Sequence, residues 1–435
     1  MTSNLQNRRL TVASLLLLAM LLAGLGHALF PAIPVWWAGI GGWGAMLILL
    51  TVSGWQRYRQ LFVLSGLGAL FLVWGWWRGG EISPARILAQ NILLLTMLYG
   101  VSFLRLVAAL GQEPDAPLPQ GRLAFLKSML GIHVLGAVIN ISVVILAIER
   151  LHEKGALDNT GIKVISRAFA SAAFWSPFFA AMGVALTYSP GASLYTLLPV
   201  GALLALCALL VTVLQTGGWR MQHLREFRGY PMNLASLRIP LVLAIAVLLL
   251  HEALPSVPVV MVVAVTSILL TLSGLLLSQQ KRGASLNLFR GHALQAASRM
   301  SNELSLFLGA GVLTVGLQVF VATFDDLLLF EQFGWWQAGL LLAASFVTSM
   351  LGIHPLVSAG VAAAFALPAQ PEPDLLAMLC LAMWGLGVVI NPLSGLSLTL
   401  RSYTGLTLRG LLSEHFLYTL VMWAIFTGLM FMVFG

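Results

Sequence analysis

The chain has 435 residues, of which 59% are hydrophobic and only 9% charged. Soluble domains carry about 25% charged residues, so the composition excludes a water-soluble globular protein. The net charge of +8 comes without a long basic run or interleaved aromatics, which excludes a nucleic-acid binder, and two cysteines without CxxC spacing (Cys207, Cys380) exclude a zinc knuckle or disulfide framework.

Along the chain, uncharged apolar stretches long enough to span a bilayer recur. Residues 1–33 read as one N-terminal helix behind a basic start, "NRR", with no small-residue cleavage site, so the segment is expected to be retained. Helices follow at about 34–54, 60–77 and 87–108. Arg8, Arg9 and the basic "WQRYRQ" turn place the N-terminus and the second loop in the cytoplasm.

At 128–135 stands "SMLGIHVL", and at 349–356 "SMLGIHPL", which differs only in having Pro355 where the first has Val134. If the first copy lay in a full span, the basic loops at 217–238 and 279–299 would both fall outside. A re-entrant hairpin at about 123–148 keeps both inside. The same reasoning makes about 335–369 a second hairpin, so that Asp325, Asp326 and Glu331 before it and "PAQPEPD" after it lie outside.

With both hairpins in place the predicted architecture is an all-α polytopic membrane protein of about eleven spans and two hairpins. The first repeat covers 34–215 and includes a broken helix at about 163–188. A basic cytoplasmic linker at 216–238 leads to a second repeat at 239–435, with its broken helix at about 374–400. The two repeats have opposite orientation, an arrangement used by secondary transporters. "QNILLLTMLYGV" (90–101) and "SNELSLFLGAGV" (301–312) also match, with Asn91 opposite Asn302.

Irregular backbone at membrane depth survives only where it is buried in protein or lines a cavity. The candidate solute- and ion-binding residues are therefore those of the expected tips and breaks. At the tips these are Gly131, His133, Gly352, His354 and Pro355, with Asn140 and Ser142 as an alternative tip in the first hairpin. At the breaks they are Ser176, Pro177, Asn391, Pro392, Ser394 and Ser397. Glycine and proline open the helix, free helix N-termini attract anions, and an imidazole can bind a carboxylate, carry a proton or donate a structural hydrogen bond. Thr187 and Thr399 are hydroxyls in the same broken helices. The spans hold almost no Asp or Glu away from their ends, which argues against an antiporter. Walker, GxSxG and HExxH motifs are absent.

One extra helix followed by two inverted units, each of five helices and a hairpin, resembles the ion transporter superfamily and its divalent anion/sodium symporters. Where that family carries Ser-Asn-Thr at each tip, this chain has "GIHV" (131–134) and "GIHP" (352–355). The resemblance implies an elevator mechanism, a homodimer and no cofactor beyond Na⁺ or H⁺ as coupling ion. The expectation is a non-enzymatic secondary transporter of a small, carboxylate-like anion. Its place is a bacterial-type inner membrane, where lipid is its other partner. A glycan ligase or polymerase and a non-transporting assembly subunit are the alternatives. The short external loops disfavour the enzyme.

Overall fold

Apolar segments with so few charges fold as helices because a helix satisfies its own backbone groups in hydrocarbon. The computed structural model describes residues 2–108, 117–217, 224–231, 238–278, 282–324 and 330–435. Asp325, Asp326 and much of the 216–238 linker lie outside them. Within the described residues there are helices, turns and one isolated bridge between Gln120 and Arg228.

In chain order the helices are α1 (Thr2–Leu29), α2 (Trp36–Ser53), α3 (Arg59–Trp77), α4 (Pro84–Ala89), α5 (Ile92–Ser102), α6 (Arg105–Ala108) and α7 (Arg122–Ile139). Next come α8 (Ile141–Glu153), α9 (Asn159–Ser171), α10 (Ala180–Tyr188), α11 (Leu194–Gly217), α12 (Arg238–Ala253), α13 (Val259–Leu277) and α14 (Arg282–Leu294). The last are α15 (Ala296–Arg299), α16 (Ser301–Val321), α17 (Trp335–Met350), α18 (Pro355–Ala366), α19 (Pro373–Ile390), α20 (Gly395–Thr404) and α21 (Leu408–Phe434). Among the described residues nine helical stretches are long and apolar enough to cross a membrane. The protein is therefore an all-α, multi-pass membrane protein. Two of the expected spans are not among the nine: the apolar part of α12 is a short helix, Leu241–Ala253, and the 163–188 stretch is interrupted between α9 and α10.

The chain divides into two compact units that cut across its contiguous halves. Unit 1 comprises 1–110 and 243–329, and unit 2 comprises 111–242 and 330–435. Unit 2 contains one sequence of elements twice: a helical hairpin (α7/α8, then α17/α18), an interrupted helix (α9/α10, then α19/α20) and a long helix (α11, then α21). Its packing is also paired. The first limb of each hairpin lies on the interrupted helix that follows it (α7 on α9, α17 on α19), and the second limb lies on the far part of the other interrupted helix (α8 on α20, α18 on α10). At 1.5 Å per residue the hairpin limbs reach about 18–27 Å, short of a hydrocarbon core about 30 Å thick.

Unit 1 is built on two close helix pairs, α1 with α2 and α3 with α16. Asn91, in the left-handed region at φ 62°, interrupts the chain between α4 and α5, and its side-chain amide donates to the Phe307 carbonyl at 3.0 Å. Asn302, its counterpart in the sequence match, is exposed on an unbroken α16. The α3–α16 seam is set by Gly68 and Gly316: a Cβ on Gly316 would strike the Gly68 backbone, and one on Gly68 would stand 2.6 Å from the Val312 carbonyl. Gly316→Leu should therefore destabilise the protein by about 1–3 kcal/mol through overpacking. Gly66→Leu, on the facing helix α3 but with nothing within 4 Å, should leave stability unchanged. Thermal unfolding in detergent compares the two.

Candidate functional site

The two octapeptides fold differently. In the second copy Pro355 cannot donate a backbone hydrogen bond and occupies the first turn of α18. α17 ends at Met350, Gly352 takes φ 89°, and Gly352–His354 form the hairpin tip. In the first copy Val134 keeps its N–H, and α7 runs through the motif to Ile139. Gly131 and His133 are thus inside a helix and not at a tip. The turn instead comes at Asn140, with φ 60° and ψ −147°, a region nearly reserved for glycine.

His133 acts as a tie between helices. The Trp175 indole N–H donates to its Nε2 at 3.0 Å, so Nδ1 carries the proton and faces the Ala168 carbonyl and Ser171 Oγ, each at 3.0 Å. That fastens α7 to α9 and to the break behind it. His354 uses Nδ1 to accept from the Leu356 N–H at 3.2 Å, capping α18, and its ring stands edge-on to Trp384 at 5.2 Å. Its Nε2–H remains available at a half-buried position.

Both breaks close their own tips by the same device. Ser176, just before Pro177, donates to the Ala137 carbonyl in the last turn of α7 at 2.5 Å and accepts from the Phe178 N–H. Asn391, just before Pro392, donates to the Ile353 carbonyl at 2.8 Å and accepts from the Leu393 N–H at 2.8 Å. Each side chain satisfies a carbonyl that a helix end leaves free and an amide of its own break. Ser394 caps α20 by accepting from the Ser397 N–H, and its hydroxyl reaches the Val388 carbonyl. The fold thus gathers Gly352, His354, Pro355, Asn391, Pro392, Ser394 and Ser397 around one tip, and Asn140, Ser142, Ser176 and Pro177 around the other. The neighbourhoods touch: a Cβ on Gly395 would meet Ile141 Cδ1 at 3.5 Å. Thr187 and Thr399 bond back to their own helices, to Gly183 and Gly395.

The tips and breaks contain no Asp, Glu, Lys or Arg, and among the described residues no group of His, Cys, Asp and Glu is suited to a metal ion. A fixed charge does lie deeper in unit 2, and the sequence reading did not single it out. Arg167 on α9 is 2% exposed. It donates to Gln215 Oε1 (2.8 Å), the Glu414 carbonyl (2.6 Å) and His415 Nδ1 (3.4 Å), and its guanidinium covers the Tyr418 ring. All four partners are neutral. The Glu414 carboxylate is instead paired with Lys163 at 2.6 Å. The available signal was Lys163 and Arg167 four residues apart on an otherwise apolar helix, hence on one face.

Removing a clamp should loosen only its own tip. Asn391→Ala strands the Ile353 carbonyl and Leu393 amide, at a cost of about 1–3 kcal/mol, and should speed amide exchange at 353–357. Ser176→Ala should do the same at 140–143. Hydrogen–deuterium exchange on the two variants reads both effects, and a loss of protection spread over both tips in either variant would contradict separate clamps.

No protein-family model matches the chain, and no curated protein matches it in sequence. Among solved structures it is similar to the crystal structure of the Alcanivorax borkumensis YdaH transporter, at a TM-score of 0.49 and 14% identity, covering 85% of this chain and 97% of that one.

Proposed function

We propose that this protein is a secondary active transporter of a small, carboxylate-like anion, driven by Na⁺ or H⁺ through an elevator mechanism. The observation that carries the reading is the paired clamp: two hairpin tips, each closed by the polar residue before a proline in an interrupted helix. Such breaks are costly in hydrocarbon and persist where the backbone lines a solute path. The repeated order of elements in unit 2 and the loop charges support two repeats of inverted orientation. Unit 2 contains both hairpins and both interrupted helices, and in this reading it carries the solute while unit 1 serves as scaffold.

An anionic solute is supported by charge. The tips carry no acidic group to repel it. The buried Arg167 guanidinium, whose partners are all neutral, leaves unit 2 with a fixed positive charge. Solute contact is assigned to His354 Nε2–H, the Asn140 carboxamide and Ser142. Asn391, Ser176, Ser394 and Ser397 position the tips and caps. The protein is read as a homodimer in a bacterial-type inner membrane with its N-terminus in the cytoplasm.

In proteoliposomes under imposed Na⁺ or H⁺ gradients, at least one small carboxylate should accumulate. His354→Ala and Asn391→Ala should reduce that uptake to background in protein that remains folded. Wild-type rates in both variants would remove the site from this end of unit 2. Topology gives an independent check: a cysteine at Glu153 should label from the cytoplasm and one at Gln370 from outside. Labelling of position 153 from outside would make the first hairpin a true span and end the inverted-repeat reading.

A further inference from the structure

Unit 1 carries a basic cluster where its apolar spans end. The span at 84–107 contains Arg105 in its last turn, and Arg299 stands just before the span at 301–321. Arg299 is held rigidly by neutral acceptors. One terminal nitrogen donates to His292 Nδ1 at 2.6 Å, and the other to Gln295 Oε1 at 2.6 Å. With Nδ1 accepting, His292 Nε2–H faces Ser102 Oγ at 3.0 Å, and Ser102 donates to the Tyr99 carbonyl. The imidazole is 2% exposed and packs on the Phe103 ring at 4.6 Å. Burial, then Arg299 and Arg105, push His292 down to about 4, so it stays a neutral acceptor at physiological pH.

The arginines themselves are exposed. Among the described residues neither has a carboxylate within ion-pair distance, and Arg105 makes no hydrogen bond. They are close enough that Arg105, after burial, lowers the Arg299 guanidinium from its usual range. Two like charges are thus kept together, one of them oriented by side chains, and among the described residues neither is ion-paired, even with Glu303 one turn after Arg299. A pre-oriented guanidinium suits a phosphate, which it binds through paired N–H groups.

The surroundings point to a lipid as the source of that phosphate. Leu286 and Leu288 of α14 are 54% and 45% exposed, and Arg290 on the same helix is exposed as well. Apolar side chains beside arginines at the end of membrane spans match the boundary between acyl chains and headgroups. We propose that Arg105 and Arg299 form a binding site for the phosphate headgroup of an anionic membrane lipid. The site lies in unit 1 and does not depend on what unit 2 carries.

Native mass spectrometry of the detergent-purified protein, titrated with phosphatidylglycerol or phosphatidylcholine, tests this. A basic residue near an anionic surface is worth about fivefold in binding. Wild type should therefore retain phosphatidylglycerol over phosphatidylcholine, and Arg105→Gln/Arg299→Gln should lose about 25-fold of that retention. Arg78→Gln/Arg86→Gln, which removes two exposed basic residues at the opposite end of α16, beside Phe324 and Gln318, should leave it unchanged. If the double variant does not fold, Arg105→Gln alone should still show the fivefold loss, because Arg105 makes no hydrogen bond among the described residues. Equal retention of the two lipids, unchanged retention in the Arg105/Arg299 variants, or an equal loss in the Arg78/Arg86 variant would overturn the site. Protection of wild type against thermal unfolding by inorganic phosphate, without lipid retention, would assign the cluster to a soluble anion and overturn the lipid.

Discussion

A backbone carbonyl or amide inside hydrocarbon has no water to bond, and leaving one unpaired costs several kcal/mol. The described interruptions of unit 2 are tied to that constraint. At the two breaks of unit 2 the answer is the same: a short polar side chain just before a proline donates to the neighbouring hairpin tip and accepts from its own strand of broken backbone. Asn140 accepts from the next amide at its own tip, and His354 caps the helix that leaves the other. In unit 1, the Asn91 amide donates to the Phe307 carbonyl inside the unbroken α16, which ties two segments together without closing a tip. These side chains are therefore structural in the first place, and only groups left over from that task are free to meet a solute.

This division separates the two histidines that the sequence presents as equals. His133 uses both ring nitrogens within the protein and ties α7 to the first interrupted helix. His354 uses one and keeps the other. The difference starts with Val134 against Pro355. A valine lets the helix run on, so the turn is deferred to Asn140. A proline ends it, so the turn falls on the motif itself. The two tips consequently offer different chemistry, a carboxamide at one and an imidazole at the other.

Charge is used as sparingly as the composition demands, and the buried cluster on α9 of unit 2 is explained by its neighbours. Lys163 and Glu414 cancel, while Arg167 donates from each of its three nitrogens yet keeps its charge among neutral acceptors. A buried cation is costly to desolvate, and here neutral acceptors and the Tyr418 ring face offset that cost. At the membrane boundary of unit 1 the arginines face the opposite situation, exposed and adjacent, with the compensating charge expected from outside the chain.

The sequence alone was enough to determine the membrane class, because length and apolarity decide whether a segment can enter hydrocarbon. It also marked both helix interruptions, since Pro177 and Pro392 each remove a hydrogen bond wherever they stand. It did not determine the first turn. The repeated octapeptide suggested equivalent tips, but a glycine and a histidine within an apolar helix leave it intact unless a proline follows. Nor did it reveal which polar residues pair with which, because Ser176 with Ala137 and Asn391 with Ile353 are about 39 and 38 residues apart. The grouping of distant segments into each unit and the neutral cage around Arg167 are likewise tertiary. They depend on side chains from distant helices meeting in space, and no local pattern encodes that encounter.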